Sequence, residues 1–136
     1  LINLLTAIYS KLSGSTLFND VGGRVFTDQA PEGTEFPYIV LSIISNVPDN
    51  TFTEDYEDTL IQFSIFSISE SLTEISNIYA DMKTLFDECS MTITSNTLIY
   101  MKRENLVTTI EDFVENGVTV GCRHWSVDYS IYMEAS

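Results

Sequence analysis

Cys122 and His124 stand two residues apart and Asp128 follows four residues later, the densest grouping of nucleophile, base and acid in the chain. A Cys–His nucleophile needs the thiol in hydrogen-bond contact with the imidazole and a third group to orient the ring. On an extended strand, residues two apart share a face but lie roughly 7 Å apart at Cα, so direct contact needs unusual rotamers. The trio therefore reads as a sheet-face thiol beside a partly exposed histidine, and no catalytic residue is assigned. His124 is the one histidine, and Cys89 follows a separate helical segment, so no zinc set is expected. Asp49, Glu54, Asp55, Glu57 and Asp58 crowd a short stretch. A calcium loop would place glycine sixth, and the sixth residue from Asp49 is Glu54. Gly22-Gly23 lacks the following Lys-Ser/Thr and the third glycine of a phosphate cradle. Cofactors and metals are expected to be none.

Something must position these side chains, and the chain divides readily into elements. Leu1, Leu4, Leu5, Ile8 and Leu12 line one face of a helix over 1–13, stopped by Gly14. Thr16–Val21 makes a short helical turn, and Arg24–Thr27 a short strand. Pro37 opens a strand over Tyr38–Val47, which Pro48-Asp49-Asn50 is expected to break. Extended structure resumes over Tyr56–Ile68, where Ile61, Phe63 and Ile65 alternate with polar residues. Ser71-Leu72-Thr73-Glu74 has the pattern of a capping box, ahead of a helix striped by Leu72, Ile75, Ile78, Tyr79, Met82, Leu85 and Phe86. A strand is expected over Thr97–Val107. Glu111–Gly117 reads as a hairpin tip with an Asn116-Gly117 turn. The last strand spans Val118–Met133, with Trp125, Val127, Tyr129, Ile131 and Met133 turned inward. The expected fold is α+β: a mostly antiparallel four- to five-stranded sheet with two helices on one face, in the order α-β-β-β-α-β-β.

Composition sets outer bounds. The 136 residues suit a single domain over 1–136, and 44% apolar content is ample for a core. Twenty acids against six bases give a formal charge of −14, which opposes binding to nucleic acid or to an anionic membrane. No apolar run approaches the ~18 residues of a membrane span. The start, Leu1 to Leu5, lacks a basic region and is expected to be a trimmed cytosolic start, not a signal peptide.

Gly23-Arg24-Val25 after a short helical turn, then Pro37-Tyr38-Ile39 opening the next strand, resembles the tail-completion proteins of long-tailed bacteriophages. These include tail terminators and related neck proteins. The strand Ile61–Ile68 followed by a helix, and the closing Tyr129-Ser130-Ile131-Tyr132, fit the same layout. The resemblance implies a structural, non-enzymatic virion protein. It implies a homohexameric ring at the head-proximal end of the tail tube, partnered by the tube protein and the head-completion or connector protein. DNA would pass through without specific binding, and no membrane is involved. Under that reading Glu54, Asp55, Glu57, Asp58, Glu111, Asp112 and Glu115 lie on a lumen or ring face. Another neck component is the nearest alternative. A small acidic DNA-mimic inhibitor is a second, and an enzyme using Cys122 and His124 a third.

Overall fold

The computed structural model describes residues 1–115 and 117–135. Its elements are α1 (Ile2–Leu12), α2 (Thr16–Asp20), β1 (Val25–Thr27), β2 (Tyr38–Asn50), β3 (Asp55–Ser67), α3 (Thr73–Phe86), β4 (Thr92–Ile93), β5 (Asn96–Glu115) and β6 (Val118–Ala135). The fold is α+β, but with a six-stranded mixed sheet and three helices rather than four or five antiparallel strands and two helices. The expected order α-β-β-β-α-β-β is corrected to α-α-β-β-β-α-β-β-β.

The helices form for the reasons their sequences give. Leu4, Ala7, Ile8 and Leu12 are the buried stripe of α1, and Gly14 at φ 75° lets the chain leave it in a left-handed turn. Ser15 caps α2, its Oγ accepting the Phe18 N–H at 3.1 Å. In α3, Ile75, Ile78, Met82 and Phe86 are buried. The capping box does not form. Ser71 Oγ accepts from the Thr73 N–H instead, and the Glu74 carboxylate accepts the hydroxyl of Ser67 at 2.7 Å. That buried hydroxyl at the end of β3 offers Glu74 a better-shielded donor than the exposed Ser71 backbone.

Strands lie in the order β1-β2-β3-β6-β5-β4. All pairs are antiparallel except β1–β2, where Val25, Phe26 and Thr27 run parallel to Ile39, Val40 and Leu41. Asp28, at φ 65°, donates its N–H to the Leu41 carbonyl at 2.8 Å and turns the chain back. The 28–37 segment then returns to the start of β2, so no hairpin joins the pair. Pro48 does not break β2, which continues to Asn50. Past Leu41 the strand is a sheet edge, where a proline's missing N–H removes no ladder bond. β5 likewise continues to Glu115, so Glu111 and Asp112 are in a strand and not in a tip. Asn116 of the expected turn lies outside the described residues.

One face of the sheet carries the core. Ile39, Leu41, Ile61, Phe63, Ile65, Val127, Tyr129, Ile131 and Met133 are buried against all three helices. Phe63 stacks on Phe86 at 4.9 Å and meets Tyr129 edge-on at 5.8 Å. Full burial of each such side chain is worth ~1.5–3 kcal/mol. The sheet curls enough for α1 to touch both of its edge strands. Asn3 Nδ2 donates to the Thr94 carbonyl beyond β4 at 3.1 Å, and the Tyr9 and Thr27 hydroxyls meet at 2.7 Å beside β1.

Candidate interaction surfaces

No described helix covers the sheet's other face, and its cross-strand rows follow from the register. Tyr38, Phe66 and His124 form one row, while Ser42, Gln62 and Asp128 form another below it. Tyr38 stacks on Phe66 at 4.8 Å and Phe66 on His124 at 4.3 Å. His124 Nδ1 lies 2.9 Å from Glu111 Oε1, and Nε2 lies 3.2 Å from Ser126 Oγ. Both ring nitrogens are thus held by partners other than Cys122. The Cys122 thiol is buried, directed to the Arg123 carbonyl at 3.7 Å, and pushed up chiefly by burial and then by the Glu111 charge. Asp128 accepts from Gln62 Nε2 at 3.0 Å. The sequence trio shares a face, yet its members serve three separate contacts. Cys89 is elsewhere, with its Sγ 3.6 Å from Met101 Sδ.

The seven acidic candidates divide into two groups at opposite ends of the sheet. Glu54 occupies the loop between β2 and β3, followed by Asp55, Glu57 and Asp58 on the first residues of β3. There Tyr56 pairs with Glu134, and Asp58 with Tyr132. Glu111 and Asp112 lie far along β5, opposite Cys122 and Gly121. Glu115 ends that strand, and its side chain is outside the described ones. From Val118 to Glu134, β6 spans roughly 50 Å of extended chain between the two groups. Glu54, Asp55, Asp58, Glu111 and Asp112 are exposed and Glu57 is half-buried.

Sequence reasoning missed the tyrosines that hold the first group. Tyr56 stacks on Tyr132 at 5.3 Å and Tyr132 on Tyr100 at 5.5 Å, across three strands. Tyr132 donates its hydroxyl to Asp49 at 2.7 Å, and Tyr56 donates to Glu54. Donation to a carboxylate pushes both phenols up to about 12. The alternation of Tyr132 with the inward residues marked its face, but its stacking partners depend on nonlocal register.

Two further acids were also not singled out. Asp87, just past α3, accepts the buried Tyr129 hydroxyl at 2.6 Å and pairs with Arg103 at 3.1 Å. Arg103 also donates to the Tyr79 hydroxyl at 2.6 Å, which ties β5 and β6 to the helix. Asp20, at the end of α2, is pushed up to about 6 by burial and by a hydrogen bond and like charge from Asp81. Its Oδ2 is buried with no donor facing it.

At Gly22-Gly23, positive φ values of 59° and 75° turn the chain out of α2, and Arg24 then reaches the carbonyls of Pro37 and Phe36. Among the described residues no group of three or more His, Cys, Asp and Glu is placed to hold a metal. No described helix is long and apolar enough to cross a membrane.

Residues 5–134 match the family described as tail completion protein gp17. No curated protein matches. A chain from the virion of a native gene transfer agent particle is similar in fold, with a TM-score of 0.77 and 15% identity, over 96% of this chain and 93% of that one. A second solved structure has a TM-score of 0.55 and 11% identity, over 95% of this chain and 93% of its own.

Proposed function

The chain belongs to the gp17 tail-completion family, a family of structural proteins of the phage tail, and from that membership we propose that it is a tail terminator. Copies assemble as a homohexameric ring at the head-proximal end of the tail tube. One ring face meets the tube protein and the other the head-completion or connector protein. The match over residues 5–134 is the observation that carries this reading. The fold shared with a chain of a gene transfer agent virion supports a place in the virion.

The charge suits such a ring. Six copies at −14 carry 6 × −14 = −84 formal charges. A wall of that sign lets DNA pass without adhering. Because the acidic groups sit at opposite ends of β6, we place Glu54, Asp55, Glu57 and Asp58 toward one end of the ring subunit and Glu111, Asp112 and Glu115 toward the other. The protein has a binding and positioning role, with no catalytic step.

Sedimentation and negative-stain imaging of the protein mixed with purified tail tubes test the reading. Capped tube ends bearing a six-fold ring are expected. Tubes left bare, with a small species that instead binds a basic DNA-binding protein and releases it in salt, would favour the DNA-mimic reading.

A further inference from the structure

The β5–β6 hairpin outruns the sheet. β3 ends at Ser67 opposite Arg123, which faces Ile110, so residues 111–122 form a two-stranded arm beyond the third strand, and β5 is the outer strand from Asn105 to Glu115. Among the described residues, β4 pairs with β5 only at Asn96 and Thr97, and the Glu88 N–H covers the Met101 carbonyl. From Asn105 onward nothing described pairs with the outer side of β5. Sheet edges are ordinarily blunted by proline, bulges or lysine. β2 has such features, with Pro48 and a register shift between Ile43 and Ser45. β5 has its last shift between Arg103 and Asn105 and then runs regularly to Glu115 through Val107-Thr108-Thr109-Ile110, good strand formers with no proline.

The two faces of this edge differ chemically. On the helix side, Thr108 and Ile110 border a groove of about 350 Å³ completed by Leu72, Arg123 and Trp125. Ile110 is 68% exposed there and Leu72 51%. On the open side stand Thr109 and Glu111, paired with His124 and Cys122. From Glu104 to Cys122 the sequence holds four acids and no base. A second copy of this edge would set acids beside acids, and the free edge of β2 carries Pro48 and Asp49, so the charge argues against self-pairing.

We propose that the outer edge of β5 from Asn105 to Glu115 takes up an extended segment of a partner protein as an added strand, its alternate residues apolar toward Leu72, Ile110 and Trp125 and cationic toward Glu111. Main-chain bonds hold such a strand, and the alternating side chains select it. This does not depend on the ring, since it concerns an edge that exists in one copy.

The test uses the full chain and synthetic ten-residue peptides alternating Val with Lys. Binding is followed by fluorescence anisotropy and by hydrogen exchange at the 105–115 amides. The Val/Lys peptide is expected to bind and protect those amides, while a Val/Glu peptide does not. N-methylation of alternate peptide amides, which removes strand bonding but keeps charge, should weaken binding at least tenfold. Glu111→Lys, a surface change checked for native near-UV dichroism, should weaken it similarly. Equal binding of the N-methylated peptide would overturn the proposal, because charge alone would then suffice. So would failure of the Val/Lys peptide to bind. Protection of the edge without peptide, with a doubled mass, would overturn it in favour of a second copy.

Discussion

The two long hairpins are both acidic and support their charge differently. At the β2–β3 tip, β2 stays paired with β3 to Asn50 and β3 with β6 from Tyr56, and tyrosines from β3 and β6 hold Glu54 and Asp49. At the β5–β6 arm the third strand stops at Ser67 and the outer backbone is unpaired. The first is an acidic surface braced by tyrosines, with its outer edge interrupted by Pro48 and a register shift, and the second an acidic surface with a regular open ladder. Charge alone therefore says little about what a surface can bind. What matters is whether the open backbone beside it is regular enough to pair.

Truncation should separate the body from the arm most sharply. Phe63→Ala, which removes a ring stacked on Phe86 and touching Tyr129, is expected to lose about 3–5 kcal/mol in denaturant unfolding. Val114→Ala, at a position 69% exposed on the arm, should stay within about 0.5 kcal/mol. A comparable loss from both would mean the arm is part of the folding unit.

Next in size is Asp87→Ala. It leaves the buried Tyr129 hydroxyl without its acceptor and frees Arg103, at a cost of about 1–3 kcal/mol by the same measurement. Glu111→Ala, which cuts an exposed pair on the arm, should cost less than 1 kcal/mol.

In the body, Asp20 makes stability depend on pH. Asp20 holds its proton to about pH 6 when folded, against an ordinary carboxyl value of 3.8. The folded state binds the extra proton in that window, so this group's contribution to stability declines as pH rises from about 4 to 6 and is level above. Asp20→Asn should flatten that decline and raise stability at pH 7 by about 1 kcal/mol, since water still screens the pair. Thermal melts at pH 4, 5, 6 and 7 measure it. An unchanged slope would show that the carboxyls are not coupled.

The smallest effect is spectroscopic. Absorbance titration should find the Tyr56 and Tyr132 phenols ionising near pH 12. Asp49→Asn should bring Tyr132 back toward 10, because it removes the charged acceptor. Their raised values make the bonds a source of stability below pH 10 that fades as pH climbs through 12.

Much of the body was legible because its signals are local. The stripes of α1 and α3 and the alternation of β3 and β6 each repeat over several turns or residue pairs. Features set by nonlocal register were not. Three residues of β1 cannot reveal a parallel partner, and two of β4 show no period. Pro48 reads as a breaker until the strand is known to be an edge. The capping box failed because Ser67, seven residues upstream, competes for Glu74. For the candidate surfaces, sequence separated the two acidic groups and aligned Cys122 with His124. It could not show that Glu111, thirteen residues back across a hairpin, would hold the imidazole.

The helix that touches both edges of the sheet also fixes an order of events. α1 is the first of these elements to be made, yet it bonds to Thr94, 91 residues later in the chain. Its seat exists only once the edges it joins have formed. Until residue 94 has been made, that seat is incomplete, and the nascent chain carries the Leu4, Ile8 and Leu12 stripe without its full cover. The helix made first therefore completes its docking only after β4 is in place.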